Sequence, residues 1–204
     1  DGARTILGAL DRGVTFLDTA EMYGPYTNEE LLGKTLADAG RRDEAVIATK
    51  FGTIRHTAGD ERGLDGTPAN IRLAVEGSLR RLRTDHVDVW LAHSWDEHTP
   101  IEETVSALLW AVESGRARYV GVSNHVGWQA ARTMSLLTAS GVPLVANSVE
   151  YSLVARAPEH ELADAGTALG FGLLPWSPLG RGVLAGRYRT TVAAESRLAS
   201  EEFG

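Results

Sequence analysis

Short runs rich in β-branched and apolar residues recur along the whole chain, each next to a longer stretch of helical periodicity. The runs are residues 14–18 (VTFLD), 45–50 (AVIATK), 87–93 (VDVWLAH), 118–124 (RYVGVSN), 144–150 (LVANSVE) and 171–176 (FGLLPW). Most are nearly continuous in apolar residues, the pattern of parallel strands covered on both faces. Parallel neighbours need crossover connections, and strand–helix alternation supplies them.

The helical stretches carry their own punctuation. Residues 3–12 place Ala3, Ile6, Leu7 and Leu10 on one stripe, and Gly13 follows as a stop. Thr27-Asn28-Glu29-Glu30 has the spacing of a capping box, for a helix running to about Ala39 with Gly40 behind it. Thr67-Pro68 sets a cap before a proline at the first helical position of a helix that reaches about Leu82. Thr99-Pro100-Ile101-Glu102 combines both devices, and Gly115 closes that helix. Further helices are expected at about 127–139 and 158–169, whereas 53–66 (TIRHTAGDERGLDG) reads as a polar loop.

Two α/β architectures fit this alternation: an open doubly wound sheet and a closed barrel. An open sheet that binds a dinucleotide should carry a glycine fingerprint after its first strand, and "LDTAEMYG" is not one. The near match at Gly180, Gly182 and Ala185 follows a Ser-Pro turn and opens no helical pattern, so it is a chance match. The expected fold is therefore a (β/α)8 barrel of the TIM type, in one domain over 1–204, with about six of its eight strands in this chain. The two absent strands would be the first and the eighth, which are neighbours in a closed barrel. The expectation is one opening between 14–18 and 171–176, and a domain incomplete at both ends, completed by a longer natural chain or covered by a partner. A start at Asp1 rather than Met is in keeping with that.

Composition narrows the function. A net charge of −7, with no basic stripe beyond "RRLR" (80–83), argues against a nucleic-acid partner. The helical pattern puts that run on a solvated face. Without cysteine there is no disulfide and no thiolate metal site. No apolar run approaches the ~20 residues of a membrane span, and no signal peptide is seen, so a cytoplasmic protein without a membrane partner is expected. Self-association is left open.

Active sites of such barrels form at the carboxyl ends of the strands. The six runs end on or beside Asp18, Lys50, His93, Asn124, Glu150 and Trp176. Singly, Asp18 reads as a turn former, Lys50 as a surface residue and His93 as a satisfied rim histidine; together they converge on one mouth. Tyr23 lies one short loop after Asp18. A lysine at such a mouth needs a counter-charge, and Asp18 is on the adjacent strand. A cation beside a phenol favours phenolate, so an Asp–Lys–Tyr–His set suits proton transfer to a carbonyl oxygen as it becomes an alkoxide. No side chain supplies a hydride; a nicotinamide would, with Asn124 to bond its amide and Trp176 to stack on its ring.

In family order, "GVTFLDTAEMYG", "VIATKFG", "DVWLAHSWD" with "TPIEET", "RYVGVSN", "EYSLVAR" and "PWSPLGRGVLAG" make this chain resemble the aldo-keto reductases, barrel enzymes that use NADPH. The resemblance covers nearly the whole chain. It implies a catalytic tetrad of Asp18, Tyr23, Lys50 and His93, with Tyr23 as general acid. It implies a nicotinamide site at Asp18, Ser123, Asn124, Ser148 and Trp176, with Ser177, Leu179 and Gly180 along the phosphates. The long form of the last motif is similar to branches acting on aryl aldehydes, pyridoxal or sugars. One departure is Ser148, where the family usually has a glutamine that helps hold the nicotinamide amide; Asn147 should face the other side of its strand. Another is the tail from 190, whose one cation is Arg197, so NADPH and NADH both remain open.

Rival readings are a Schiff-base aldolase with Lys50 as nucleophile and a non-catalytic NADPH-binding subunit. His93, Asp96 and His98 have loop-like spacing, and no metal is expected. His125 should face the mouth, and Trp95 either walls a substrate pocket or covers the rim.

Overall fold

The computed structural model describes residues 1–55 and 62–188. In chain order the helices are α1 (Gly2–Leu10), α2 (Thr27–Ala39), α3 (Pro68–Leu82), α4 (Ile101–Glu113), α5 (Gly127–Thr138) and α6 (Leu162–Leu169). The strands are β1 (Phe16–Asp18), β2 (Val46–Phe51), β3 (Thr53–Arg55), β4 (Arg62–Leu64), β5 (Val87–Ala92), β6 (Ala117–Ser123), β7 (Leu144–Glu150) and β8 (Gly172–Trp176). Six strands form one sheet in the order β1-β2-β5-β6-β7-β8, every pair parallel. With its alternating helices this is part of a (β/α)8 barrel, and among the described residues it opens between β1 and β8, where the missing strands were expected.

Register divides each strand between two faces. Ile47, Thr49, Trp90, Val120 and Leu144 face the helices and are fully or almost fully buried. There Phe51 stacks on Trp90, with centroids 4.9 Å apart. The inner face holds a smaller cluster of Ala48, Val89 and Leu91, with Val145 and Leu174 against it. Inner-face burial fades toward the edge: Ala48 is 0% exposed, whereas the paired Phe16 and Val46 are 40% and 39% exposed.

Several local expectations are corrected. The stretch read as a loop contains an antiparallel pair, Thr53–Arg55 with Arg62–Leu64; strands this short and polar leave no periodic signal. Thr27 does not cap α2. Tyr26 is the N-cap, at φ 68°, and the Thr27 hydroxyl, one position too late, donates to the Gly24 carbonyl at 2.8 Å. Pro100 is likewise the N-cap of α4 itself, and the Thr99 hydroxyl donates to Asp96 Oδ2 at 2.6 Å. Thr67 does cap α3, accepting from the Asn70 N–H at 3.4 Å with Pro68 in the first turn. The expected helix over 158–169 is broken at Glu161 into a 3-10 turn (Ala157–His160) and α6.

Helices α2 and α3 meet at Gly33. A Cβ there would lie 2.3 Å from the Arg81 carbonyl oxygen and 2.5 Å from Leu82 Cα, both backbone atoms that cannot rotate aside. Gly33→Ala gains helix propensity of about 1 kcal/mol, but the overpacking should win. The expected outcome is a net loss of about 1–3 kcal/mol in denaturant unfolding; unchanged stability would mean that the helices are free to separate.

Candidate active site

Adjacent strands β1 and β2 bring Asp18 and Lys50 together. Lys50, 1% exposed, donates from Nζ to Asp18 Oδ2 at 2.6 Å and to the Thr19 carbonyl at 2.9 Å. A buried ammonium needs such partners, because desolvation otherwise outweighs its charge. Neither Lys50 nor Asp18 is the independent surface or turn residue that each resembles alone.

Tyr23 lies on the loop between β1 and α2, with its ring centroid 5.2 Å from Lys50 Nζ. His93, directly after β5, places its ring 6.2 Å from that of Tyr23 at 80°. The four residues are thus gathered at the carboxyl ends of β1, β2 and β5. Burial, and then the charge of Lys50, depress the His93 pKa to about 4, so its imidazole is neutral at neutral pH. Its Nδ1 is buried without a hydrogen-bond partner among the described residues.

A second group lies at the ends of β6, β7 and β8. Asn124, left-handed at φ 57°, donates from Nδ2 to the His93 carbonyl at 3.0 Å and to Ser123 Oγ at 3.2 Å. Its Oδ1 accepts from Trp176 Nε1 at 3.0 Å. Ser123 Oγ donates to the Ser148 carbonyl at 2.9 Å, in register with Ser148. Ser148 is buried on the inner face, while Asn147 pairs with Val122 in the other row and donates to the His125 carbonyl at 2.8 Å. After Trp176 the chain turns through Ser177 at φ 51° and Gly180 at φ 56°, with Leu179 exposed. The Gly180–Gly182 stretch is a short 3-10 turn and opens no α-helix.

The indole of Trp176 is held by its edge and stays partly exposed, while the Asn124 amide is engaged by the His93 carbonyl, Ser123 Oγ and Trp176 Nε1. Glu150 is in register with Trp176 at the end of β7.

His125 does not face the mouth. It is 2% exposed, its Nδ1 is 2.9 Å from the Ser123 carbonyl oxygen, and Trp95 packs edge-on against it. Trp95 also meets Trp128, with centroids 5.2 Å apart, so it covers His125. Asp96 is spent on bonds from the Gly66 and His98 N–H groups and the Thr99 hydroxyl. No grouping of metal-binding side chains occurs among the described residues.

Two carboxylates went unsuspected. Glu21 Oε1 accepts from the Gly52 N–H at 2.9 Å, and burial pushes its pKa up to about 7. Glu29, 0% exposed, accepts from Thr49 Oγ1 and Arg81 Nε, each at 2.6 Å. Arg81 belongs to the run expected on a solvated face; instead it is tucked in beside Glu29. The one sequence signal for Glu21 was its place between Asp18 and Tyr23, and Glu29 gave none beyond a capping spacing.

These shifts give pH dependence a sign. Burial also depresses the His125 pKa to about 4. His93 and His125 stay neutral when folded but take protons when unfolded, so they cost stability as pH falls from about 6.5 to about 4. Glu21 works the other way, keeping its proton when folded and costing stability as pH rises from about 4.5 to about 7. The two histidines outweigh the one carboxylate, so the melting temperature should fall on acidification. Glu21→Gln should steepen that fall and His125→Gln should flatten it, as read by thermal melts across the range.

The family model described as "Aldo/keto reductase family" matches residues 1–203. "Probable aldo-keto reductase 1" of Glycine max is 37% identical over 188 residues, covering 92% of this chain and 52% of that protein. Among solved structures, the holo form of aldo-keto reductase AKR11C1 from Bacillus halodurans superposes with a TM-score of 0.81 at 30% identity, over 90% of this chain and 60% of its own. The glycerol dehydrogenase AKR11B4 from Gluconobacter oxydans gives 0.83 at 31% identity, over 98% and 60%. The chain thus spans about half the length of the curated relative and three fifths of the solved ones. Sheet order, converging strand ends and the match along the chain agree: it belongs to the aldo/keto reductase family.

Proposed function

We propose that the protein reduces an aldehyde or ketone to an alcohol by hydride transfer from NADPH, with Tyr23 as general acid. The observation that carries this reading is the placement of Lys50 Nζ, bonded to Asp18 at 2.6 Å and 5.2 Å from the Tyr23 ring. A fixed cation there stabilises the negative charge that a phenol takes on as it gives up its proton. Neutral His93, edge-on to Tyr23, can donate to the same carbonyl oxygen and hold it toward the hydroxyl. Asp18 keeps the ammonium in place.

Bound reduced nicotinamide would supply the hydride. Ser123, Asn124 and Ser148 would hold its carboxamide and Trp176 its ring, with Asp18 beside it and Ser177, Leu179 and Gly180 along the phosphates. NADPH is the first choice by family, with NADH as the competitor. The glycerol dehydrogenase among the solved neighbours suits the same residues running in the direction of alcohol oxidation. The substrate is a small carbonyl compound, and nucleic acid and membrane partners have no place in this reading, which takes the enzyme as cytoplasmic. The described strands belong in this reading to one barrel unit, whose β1 and β8 edges are covered in the natural protein, since bare strand edges invite aggregation.

Lys50 donates to both Asp18 and Thr19, which argues against a Schiff-base nucleophile. The assembled tetrad argues against a non-catalytic subunit.

A panel of aldehydes and ketones assayed with NADPH and with NADH tests the activity. Tyr23→Phe should retain cofactor binding while kcat falls by a factor on the order of 100 or more, and Lys50→Met should fall comparably. Near-normal turnover in Tyr23→Phe removes Tyr23 from the role. Because Ser148 replaces a longer amide, Ser148→Gln should tighten cofactor binding by about 1 kcal/mol, roughly fivefold in Kd by fluorescence titration. Weaker binding would mean that another side chain already fills that space.

A further inference from the structure

We infer that Glu29, Arg81 and Tyr26 act as positioning residues, bracing the Tyr23 loop from outside the barrel. The inference rests on the reading of Tyr23 as proton donor.

The loop between β1 and α2 is tied to β2 through its first residues: the Glu21 N–H donates to the Lys50 carbonyl at 3.2 Å and Glu21 Oε1 accepts from the Gly52 N–H at 2.9 Å, which leaves the stretch from Tyr23 to Tyr26 to be held from its other end. The Tyr23 N–H donates to the Ala20 carbonyl at 3.0 Å, and the Tyr23 carbonyl accepts from the Asn28 N–H at 3.3 Å. Its exit into α2 runs through Tyr26 at φ 68°, a left-handed conformation that an aromatic residue adopts only when its surroundings enforce it. Here the Arg81 guanidinium lies over the Tyr26 ring, with Cζ 4.5 Å from its centroid. The Tyr26 N–H then donates to the Glu21 carbonyl at 2.8 Å, closing the loop.

Arg81 is itself fixed. Its Nε donates to Glu29 Oε2 at 2.6 Å, and its Nη2 donates to Ser78 Oγ at 3.2 Å. Glu29, fully buried, takes the Thr49 hydroxyl on its other oxygen. Thr49 points outward from β2 at the residue next to Lys50, which points inward. One chain of contacts therefore runs from the strand that carries the ammonium, through Glu29 and Arg81, to the residue that ends the loop carrying the phenol. The close crossing of α2 and α3 at Gly33 holds the two helices that contribute Glu29 and Arg81. The separation of Tyr23 from Lys50 depends on this outer brace as well as on the inner contacts.

The test uses the full-length natural protein. Tyr26 is 44% exposed, so Tyr26→Ala removes the stack without opening the core. It should lower kcat about tenfold, as a small misplacement of a reacting group does, with the cofactor Kd within about twofold of wild type. Tyr26→Phe keeps a ring for the guanidinium and should restore wild-type kcat. Arg81→Lys keeps a charge for Glu29 but loses the planar stack, and should follow Tyr26→Ala. Wild-type kcat in Tyr26→Ala, even with a lowered melting temperature, would overturn the inference, as would equal losses in the Ala and Phe variants. Tyr23→Phe assayed in parallel separates the two readings: if it is inactive while Tyr26→Ala is fully active, only the brace fails. If Tyr23→Phe turns over normally, the assignment of Tyr23 fails and the brace with it.

Discussion

The buried ammonium of Lys50 is the constraint on which the site depends. At 1% exposure it has exchanged water for Asp18 and the Thr19 carbonyl. Asp18, 38% exposed, keeps contact with solvent, so what its loss would leave behind is the buried ammonium with the Thr19 carbonyl as its remaining partner. That requirement ties the end of β1 to the end of β2 and keeps a positive charge beside a phenol. Burial, and then the same charge, keep His93 neutral. A neutral imidazole can lend a hydrogen bond to a carbonyl oxygen without competing for its proton.

Strand β2 does two tasks with two consecutive residues. The twofold repeat of a strand sends Lys50 into the barrel and Thr49 out to the helices. Inside, Lys50 meets Asp18 and Tyr23; outside, Thr49 meets the buried Glu29 and, through it, Arg81. A shift of one residue in β2 would exchange these faces, and both polar networks would fail at once. The apolar residues of β2 hold that register. Ile47 is fully buried in the helix-facing core and Ala48 in the inner cluster.

The second half of the site is built by hydrogen bonds among its own members. Asn124 links the His93 carbonyl, Ser123 and Trp176. This network joins the ends of β5, β6 and β8, and the Ser123 hydroxyl extends it to β7. The register shift between Val120 and Val122 against β7 lies one turn of the pleat below and sets Ser123 opposite Ser148. Asn124 and Trp176 are therefore placed relative to Lys50 and Tyr23 by direct bonds through the His93 backbone.

The sequence by itself determined the class of fold and the membership of the rim. Near-continuous apolar runs of strand length, alternating with helical stretches, point to parallel strands, and each delivers its polar or aromatic residue where the run stops. That logic was enough to place Asp18, Lys50, His93, Asn124 and Trp176 at the strand ends, because strand ends are local features. Tertiary structure alone decided what lies at long range or on another face. Glu29 read as part of a helix cap and Arg81 as a solvated charge, yet they pair across 52 residues of chain. His125 read as a mouth residue, but Trp95 covers it. The β3–β4 pair was hidden because so short a polar strand buries too little to leave a pattern. Periodicity records which face of an element is apolar; it does not record which polar residue of one element will meet that of another. That is set by register and helix crossing, which the packed core fixes.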